Sequence, residues 1–334
     1  MKNLLINKDY SITNNAYNIN LNAEKTTDIY HLNEIAENVS IEKIKSVNDY
    51  FYKLNLHLNS NAVSLFLTNK NKKEYLSYLK DKIYQILNFD GNYFDNIFPA
   101  RNNLLSKLLP VDNFELPQYK HNSATGRSKI VRGTNFMTMK KEKRKLLTYK
   151  NCNVFEIDFN SCEPYFYLLS KGKIRSIEND IYDTIKSDLN LKINDRKILK
   201  QSILSILYGA GYETIKRLSK MSRNDYNDLK IYFEIDEFEK KLLKQNDQLG
   251  FILNYYERPV IIKSERSILN YWVQSSVADF CYLAFNDFVK KSKINFHAII
   301  HDAIICSSKQ KLDIPYLKCP HSNFKIPVSF SYFS

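Results

Sequence analysis

The chain has 334 residues, of which 44% are hydrophobic and 25% are charged. These values are ordinary for a globular protein with a buried core, and they exclude the fibrous and wholly disordered classes. Its 49 basic and 36 acidic residues leave a net charge of +13, which attracts polyanions and speeds their association. A nucleic acid or another anionic surface is therefore the expected partner.

The cysteines predict a reducing environment. They are five in number, form no C-x-x-C pair and lie in apolar runs: Cys152, Cys162, Cys281, Cys306 and Cys319. Such residues usually pack as free thiols, so a cytoplasmic or other reducing compartment that contains nucleic acid is expected. No run approaches the ~18 apolar residues of a membrane helix, and Met1–Asp9 is too poor in apolar residues for a signal peptide. No membrane partner is expected.

The N-terminal part of the chain gives few signals. Residues 1–59 are rich in Asn, Ser and Lys and have mixed periodicity, so they receive no predicted role. Further along, Leu76, Leu79, Ile83 and Leu87 recur at helical spacing, which predicts an amphipathic helix over Lys72–Asn88.

The positive charge is concentrated in one segment. Between Gln118 and Lys150 there are ten basic residues and one acidic residue, Glu142, a net charge of +9. Gly126 and Gly133 allow the backbone to approach a partner closely there. A solvated basic loop is the structural alternative.

Two short apolar runs each present an aspartate. Val154–Phe159 is typical of a buried strand and carries Asp158 near its end. Phe296–Ile300 and Ala303–Cys306 flank His301 and Asp302, which predicts a tight hairpin with Asp302 at its tip. Each aspartate alone is also compatible with a role in capping a turn.

A carboxylate among isoleucines is costly unless it is paired or binds a cation. Two aspartates that share divalent metal are suited to phosphoryl transfer, in which two ions about 3.5–4 Å apart stabilise the attacking and leaving oxygens. We therefore expect two Mg²⁺ ions, with Mn²⁺ able to substitute, at Asp158 and Asp302.

A helix is predicted between these strands, from about Arg196 to Tyr208. Asn194 or Asp195 can cap its start, and Gly209 can take the left-handed position after its end. Arg196, Lys200, Leu204 and Tyr208 recur every four residues and share one stripe. Such a stripe can hold phosphates at one end and a base at the other, although exposed basic residues at this spacing are also common.

In this order, the segments resemble motifs of the family A DNA polymerases. Asp158-Phe159-Asn160-Ser161-Cys162-Glu163 is similar to motif A, Arg196-x3-Lys200-x7-Tyr208-Gly209 to motif B, and Ile299-Ile300-His301-Asp302-Ala303-Ile304-Ile305 to motif C. Ala124-Thr125-Gly126-Arg127 resembles the T-x-T-G-R segment, and Arg266-x3-Asn270-x3-Gln274-x4-Asp279 resembles the segment before motif C. The resemblance covers about two thirds of the chain, from Asn102 to Ser308.

The resemblance implies a role for each matching position. Asp158 and Asp302 would ligate the two magnesium ions, while Arg196 and Lys200 would hold the triphosphate of a dNTP. Lys200 would also donate a proton to pyrophosphate. Tyr208, Leu204 and Gly209 would lie in the nucleotide site, where Glu163 would exclude the 2′-hydroxyl, and His301 would lie near the primer terminus. The residues expected to contact the DNA primer-template are Arg127, Arg132, Arg266, Asn270 and Gln274.

The fold implied is a right-hand α+β polymerase with an antiparallel palm sheet, helical fingers and a reduced thumb. Its predicted parts are a thumb at 60–116, a palm at 117–170 and 263–334, and fingers at 171–262. About a hundred residues precede the matching region, so we expect no proofreading exonuclease. A short thumb implies a weak, salt-sensitive grip on duplex, and a helicase, a primase or a processivity factor would then be an accessory partner. These features are compatible with a protein encoded by a virus or a plasmid.

Two departures from the family pattern keep alternatives open. Leu204 replaces the usual Phe or Tyr, and Ala303 replaces the usual Glu after the motif C aspartate. A single-subunit RNA polymerase or primer-synthesising enzyme is one alternative, against which Glu163 argues. A non-catalytic nucleic-acid-binding factor is another, against which the presence of both aspartates argues. Untemplated nucleotide addition is the third.

Overall fold

The structure is a computed structural model that describes residues 10–13, 16–19, 97–120, 125–174, 180–193, 195–249, 251–256, 258–260 and 262–333. The predicted helix at Lys72–Asn88 and most of the predicted thumb lie outside these residues, as do Ala124 and Asn194. The chain divides into two compact units. In the first, β1 (Tyr10–Thr13) pairs antiparallel with β2 (Ala16–Ile19).

The second unit comprises Asn96–Lys244, Ile252–Tyr256 and Val260–Ser334. The further described strands of the chain are β3 Gln118–Lys120, β4 Lys129–Arg132, β5 Asn153–Phe159, β6 Ile252–Leu253, β7 Pro259–Val260, β8 Asn295–Ile300, β9 Ala303–Ser308, β10 Tyr316–Lys318 and β11 Lys325–Tyr332. The described helices are α1 Ile97–Leu105, α2 Lys141–Arg144, α3 Cys162–Ser170, α4 Ile181–Asp188, α5 Arg196–Leu207, α6 Tyr212–Ser219, α7 Arg223–Tyr232, α8 Ile235–Leu249 and α9 Ile268–Lys291.

A five-stranded sheet organises this unit. Its strand order is β10-β11-β5-β9-β8, and every neighbouring pair is antiparallel. The α+β class and the antiparallel sheet predicted from the sequence are confirmed. The strand predicted at Val154–Phe159 is β5, and the predicted hairpin is formed by β8 and β9.

The 24-residue helix α9 packs on one face of the sheet through aromatic side chains. The Phe159 ring lies 5.2 Å from the Phe280 ring and 4.8 Å from the Phe285 ring, measured between centroids. Phe280 also contacts Phe166 of α3 at 5.7 Å. These fully buried rings attach β5 firmly to α9. None of the described helices, α9 included, has the length and hydropathy that a membrane span requires.

The opposite sheet face is covered by the basic segment. Phe136, Leu147 and Tyr149 are buried there against Val154 and Ile305. The lysines of the same segment are exposed: Lys120, Lys129, Lys140, Lys141, Lys143, Lys145 and Lys150. The described part of the segment is therefore anchored by its apolar residues and presents its positive charge outward.

The outer edge of β8 is closed by the chain before β4. The Tyr119 hydroxyl donates to the Ile299 carbonyl oxygen at 3.0 Å and accepts from the Ile299 N–H at 2.9 Å. The Leu109 N–H donates to the Phe296 carbonyl oxygen at 2.8 Å. The Ile299 N–H and the carbonyl oxygens of Ile299 and Phe296 on this edge strand thus have partners outside the sheet.

Helix α5 begins and ends at the predicted signals. The Asp195 side chain accepts from the Lys197 N–H at 2.7 Å and the Ile198 N–H at 3.2 Å, as an N-cap does. Gly209 follows the helix with φ +82°, where a Cβ would lie 2.4 Å from the Arg266 carbonyl oxygen. Glycine therefore allows the end of α5 to lie against the backbone before α9.

Gly209→Ala should lower the free energy of unfolding more than the matched variant Gly172→Ala. Both glycines have positive φ, so each alanine incurs a steric cost of about 1–2 kcal/mol. The alanine methyl at Gly209 would also meet the Arg266 backbone, whereas nothing lies within 4 Å at Gly172. We expect an additional loss of at least about 1 kcal/mol at Gly209, measured by urea unfolding. Equal losses would contradict the close contact.

Candidate active site

The β5–β9 ladder brings the two predicted metal ligands together. Asp158 pairs with Ala303 in the register, and the Phe159 N–H donates to the Asp302 carbonyl oxygen at 3.1 Å. His301 and Asp302 form the two-residue turn between β8 and β9, with His301 at φ +55°. A non-glycine residue in this conformation is uncommon and is found preferentially at functional sites.

Both aspartates line a cavity of about 820 Å³. Its lining includes these predicted site residues: Arg127, Asp158, Glu163, Arg196, Lys200, Leu204, Tyr208, His301 and Asp302. The stripe of α5 predicted from four-residue spacing therefore lies on one side of the cavity, and the ends of β5 and β8 lie on the other. The predicted residues outside this lining are Arg132, Gly209, Arg266, Asn270 and Gln274.

The surroundings of Asp158 disfavour its negatively charged form. Burial raises the pKa of Asp158 to about 7, and the neighbouring carboxylates of Asp302 and Glu156 add to this effect. The positive charge of Lys200 partly opposes it. Within the described part of the chain, neither Asp158 nor Asp302 has an ion-pair partner. Positive charge supplied from outside the chain would favour the ionised form of Asp158.

The two carboxylates fit a Mg²⁺ ion whose remaining ligands come from water and a bound substrate. Mg²⁺ is usually held by one or two carboxylates together with waters and substrate phosphates. Asp158 and Asp302 supply two carboxylates beside a polar cavity. Among the described residues there is no cluster of three or more metal-ligating side chains. The described part of the chain therefore offers two carboxylate ligands at this site and not a full set of protein ligands.

Arg196 is held at the edge of this cavity by a residue that the sequence reasoning did not identify. Its Nε donates to Asp180 Oδ2 at 3.2 Å, and its Nη2 donates to the same oxygen. The guanidinium carbon lies 5.1 Å from the centroid of the Tyr182 ring. Hydrogen bonding to Asp180 raises the pKa of Arg196 further.

A second carboxylate network fixes Glu163. Arg127 Nη2 donates to Glu163 Oε1 at 2.5 Å, and the Tyr208 hydroxyl donates to Glu163 Oε2. Burial raises the pKa of Tyr208, and the Glu163 charge adds to that shift. Both oxygens of Glu163 are therefore engaged, and its carboxylate is held between Arg127 and Tyr208, the residue that follows α5.

The remaining predicted residues occupy different surroundings. Arg132 is exposed on β4, and Arg266 contributes backbone to the contact with Gly209. Asn270 Oδ1 is buried without a hydrogen-bond partner in the described structure. Gln274 lies near enough to Tyr208 to oppose the rise in its pKa.

Asp180, Tyr182 and Glu156 were missed by the sequence reasoning. Asp180 precedes the apolar residues Ile181, Tyr182 and Ile185, a pattern typical of a helix N-cap, and it could have been found from that signal. Glu156 lies two residues before Asp158 on the same strand face, where it pairs with Arg144 at 2.7 Å. Its partner lies on a different element, and no local pattern indicates such a pair.

No family model matches this chain, and no curated protein matches it. Among solved structures, the chain is similar to the POL domain of Pol1 from M. smegmatis in complex with DNA primer-template and dNTP. The two chains are 12% identical with a TM-score of 0.50. The match covers 93% of this chain and 56% of that chain. At this identity the likeness concerns the fold: the mixed α+β arrangement is similar to a polymerase domain.

In protein freed of divalent cations, Asp158→Asn should raise the melting temperature above pH 7. The ordinary pKa of an aspartate in an unfolded chain is about 4. Because the folded-state pKa is about 7, the folded protein holds a proton that the unfolded chain has released, and stability falls as pH rises through this window. Asparagine removes this loss, a gain on the order of a few degrees that should vanish at pH 4. Thermal scans across pH measure it.

Magnesium should raise the melting temperature of the native chain relative to that of Asp158→Asn. Millimolar Mg²⁺ is expected to raise the melting temperature of the native chain and to leave Asp158→Asn unchanged. Asp228→Asn, which alters an exposed carboxylate on α7, is the matched control and should respond as the native chain does. An equal rise in all three proteins would contradict a metal site at Asp158.

Proposed function

We propose that this chain is a template-directed DNA polymerase of the family A type, which adds dNTPs to a primer 3′-hydroxyl by two-metal phosphoryl transfer. The observation that carries the proposal is the cavity in which Asp158 and Asp302 lie with Arg196 and Lys200. The fold likeness to a polymerase domain that was solved with primer-template and dNTP supports it.

In this reaction the primer 3′-oxygen bonds to the α-phosphorus of the dNTP, the bond from that phosphorus to pyrophosphate breaks, and the hydroxyl proton passes to water. The bound metal and the chain's own groups share the stabilisation of the charges that develop. When bound at Asp158 and Asp302, Mg²⁺ supplies stabilisation of the attacking and leaving oxygens. Arg196 and Lys200 hold the triphosphate through charge-assisted hydrogen bonds. Lys200 also donates a proton to the pyrophosphate oxygen that leaves, which lowers the cost of the charge that develops there.

Glu163 selects the sugar in this proposal. Its carboxylate, engaged by Arg127 and Tyr208, occupies the space that a ribose 2′-hydroxyl would need. A hydroxyl placed against it would collide with a bulky group that two hydrogen bonds hold in place. This favours a DNA polymerase over a single-subunit RNA polymerase or a primer-synthesising enzyme.

The described elements correspond to a palm and fingers that bind the primer-template in this proposal. The sheet with α9 forms the palm, and α4–α8 form the fingers. The exposed lysines of the basic segment contact phosphates of the primer-template. Arg127, Arg132, Arg266, Asn270 and Gln274 contact primer and template. The thumb, the lack of proofreading and the accessory partners stay predictions.

Asp158→Asn and Asp302→Asn should each lower primer extension at least about 100-fold, because each removes a ligand whose metal supplies several kcal/mol of transition-state stabilisation. Extension of a labelled primer on a DNA template with Mg²⁺ and dNTPs measures the loss. Asp228→Asn should retain full activity.

Omitting the template tests untemplated addition. Unchanged extension in either active-site variant would remove the two-metal assignment, and a native chain that binds DNA without extending it would be a non-catalytic binding factor.

Glu163→Ala should relax sugar selection. The native chain is expected to prefer dNTPs, and the variant should incorporate rNTPs with a relative efficiency about 10- to 100-fold higher, because the bulky acid is gone. Competitive incorporation of matched dNTP and rNTP measures the ratio. Glu163→Gln, which keeps the side-chain volume, separates size from charge. A native preference for rNTPs would overturn the choice of a DNA polymerase.

A further inference from the structure

Asp180 lies at the junction of two helices that line the cavity. It is the N-cap of α4, and its Oδ1 accepts from the Tyr182 N–H at 2.9 Å. Its Oδ2 accepts from both Nε and Nη2 of Arg196, the first residue of α5. One carboxylate therefore connects the start of α4 to the residue that is proposed to hold the triphosphate.

The pair leaves Arg196 with donors to spare. A guanidinium has five N–H donors, and Asp180 accepts from two of them, so three have no acceptor among the described residues and are placed to bind an anion. The Arg196 side chain is 53% exposed, and the Asp180 side chain is 30% exposed. Both residues line the cavity, with Tyr182 packed beneath the guanidinium.

Two effects of Asp180 on a triphosphate oppose each other. Its negative charge repels phosphates, an effect that water and salt screen at a half-exposed site. Its hydrogen bonds hold a long side chain that would otherwise lose rotamer freedom on binding. Because Oδ1 is engaged by the helix cap, the carboxylate is itself fixed, and the geometry favours the second effect.

The backbone at this end of α5 does not replace Arg196. Asp195 already accepts from the Lys197 and Ile198 N–H groups. These amides would serve an anion if they were unoccupied. Binding of phosphates at this end therefore depends on side chains, and on how well Arg196 is positioned.

We propose that Asp180 is a positioning residue for nucleotide binding, which holds the Arg196 guanidinium over Tyr182 so that its unoccupied N–H groups bind the phosphates of an incoming triphosphate. The inference rests on the proposed function of the site. It assigns Asp180 no contact with substrate, because it acts through Arg196.

Asp180→Asn is the variant that tests this inference. The asparagine side-chain oxygen can still cap α4, whereas the charge that holds Arg196 is lost. We expect the dissociation constant of a fluorescent dNTP analogue to rise about 5- to 10-fold, with a matching rise in KM for dNTP and little change in kcat. Displacement by inorganic tripolyphosphate should weaken by the same factor. Asp183→Asn, which removes an exposed carboxylate from the same helix turn, is the matched control and should change neither value more than about twofold.

A double-mutant cycle shows whether Asp180 acts through Arg196. In an Arg196→Ala background, Asp180→Asn should have no further effect on the dissociation constant. Asp180→Ala, which also removes the cap, should add a lower melting temperature to the same binding loss. If Asp180→Asn folds poorly, the cycle is measured with Asp180→Glu, which keeps the charge but is one methylene longer and should weaken binding less than Asp180→Ala.

The outcomes separate this inference from the proposed function. Tighter binding by Asp180→Asn, an equal effect in the Arg196→Ala background, or an equal effect of Asp183→Asn would each overturn it. If the native chain binds triphosphate with the predicted Asp180 dependence but extends no primer, polymerisation fails and the positioning role stands. If the native chain extends primers and Asp180→Asn binds normally, the positioning role alone fails.

Discussion

The β5–β9 ladder places the Asp158 carboxylate beside Asp302, and that placement opposes folding. Burial and the neighbouring charge together raise the pKa of Asp158 to about 7, so the ionised form of Asp158 is unfavourable in the chain by itself. The opposite face of β5 compensates for this cost, because Phe159 packs between Phe280 and Phe285. An apolar layer beneath the strand thus stabilises an unfavourable charge arrangement above it.

Three other acidic residues around the site differ from Asp158 because each forms an ion pair. Each is engaged by one arginine: Glu156 by Arg144, Glu163 by Arg127 and Asp180 by Arg196. Arginine suits this task because its planar fork can hydrogen-bond a carboxylate through more than one N–H. Asp158 and Asp302 have no such ion pair among the described residues, and in the proposed function Mg²⁺ would supply the positive charge that these two carboxylates lack.

Local patterns in the sequence were sufficient for the elements that carry the site. The apolar runs around Asp158 and Asp302 predicted β5 and the β8–β9 hairpin, and the cap at Asp195 predicted the start of α5. The four-residue spacing from Arg196 to Tyr208 predicted which side of α5 lines the cavity. These signals succeed because strand alternation, turn length and helix capping act over a few residues.

Contacts between distant segments could not be predicted in this way. Asp180 and Arg196 are brought together by the packing of α4 on α5, and the basic segment is anchored by Phe136 and Leu147 under the sheet. Neither contact has a periodic signature, because each depends on how separate elements pack. The charge count correctly located the positive segment but could not show that Arg144 is paired with Glu156 on the strand that carries Asp158.

The contact of Tyr119 with Ile299 has a consequence for self-association. An edge strand with free N–H and C=O groups invites pairing with a second molecule, which is a common start of aggregation. Here a single phenol occupies both groups of Ile299, three residues before Asp302. A foreign strand would have to displace that ring before it could pair along β8, so the edge of the sheet next to the β8–β9 turn is shielded from intermolecular pairing.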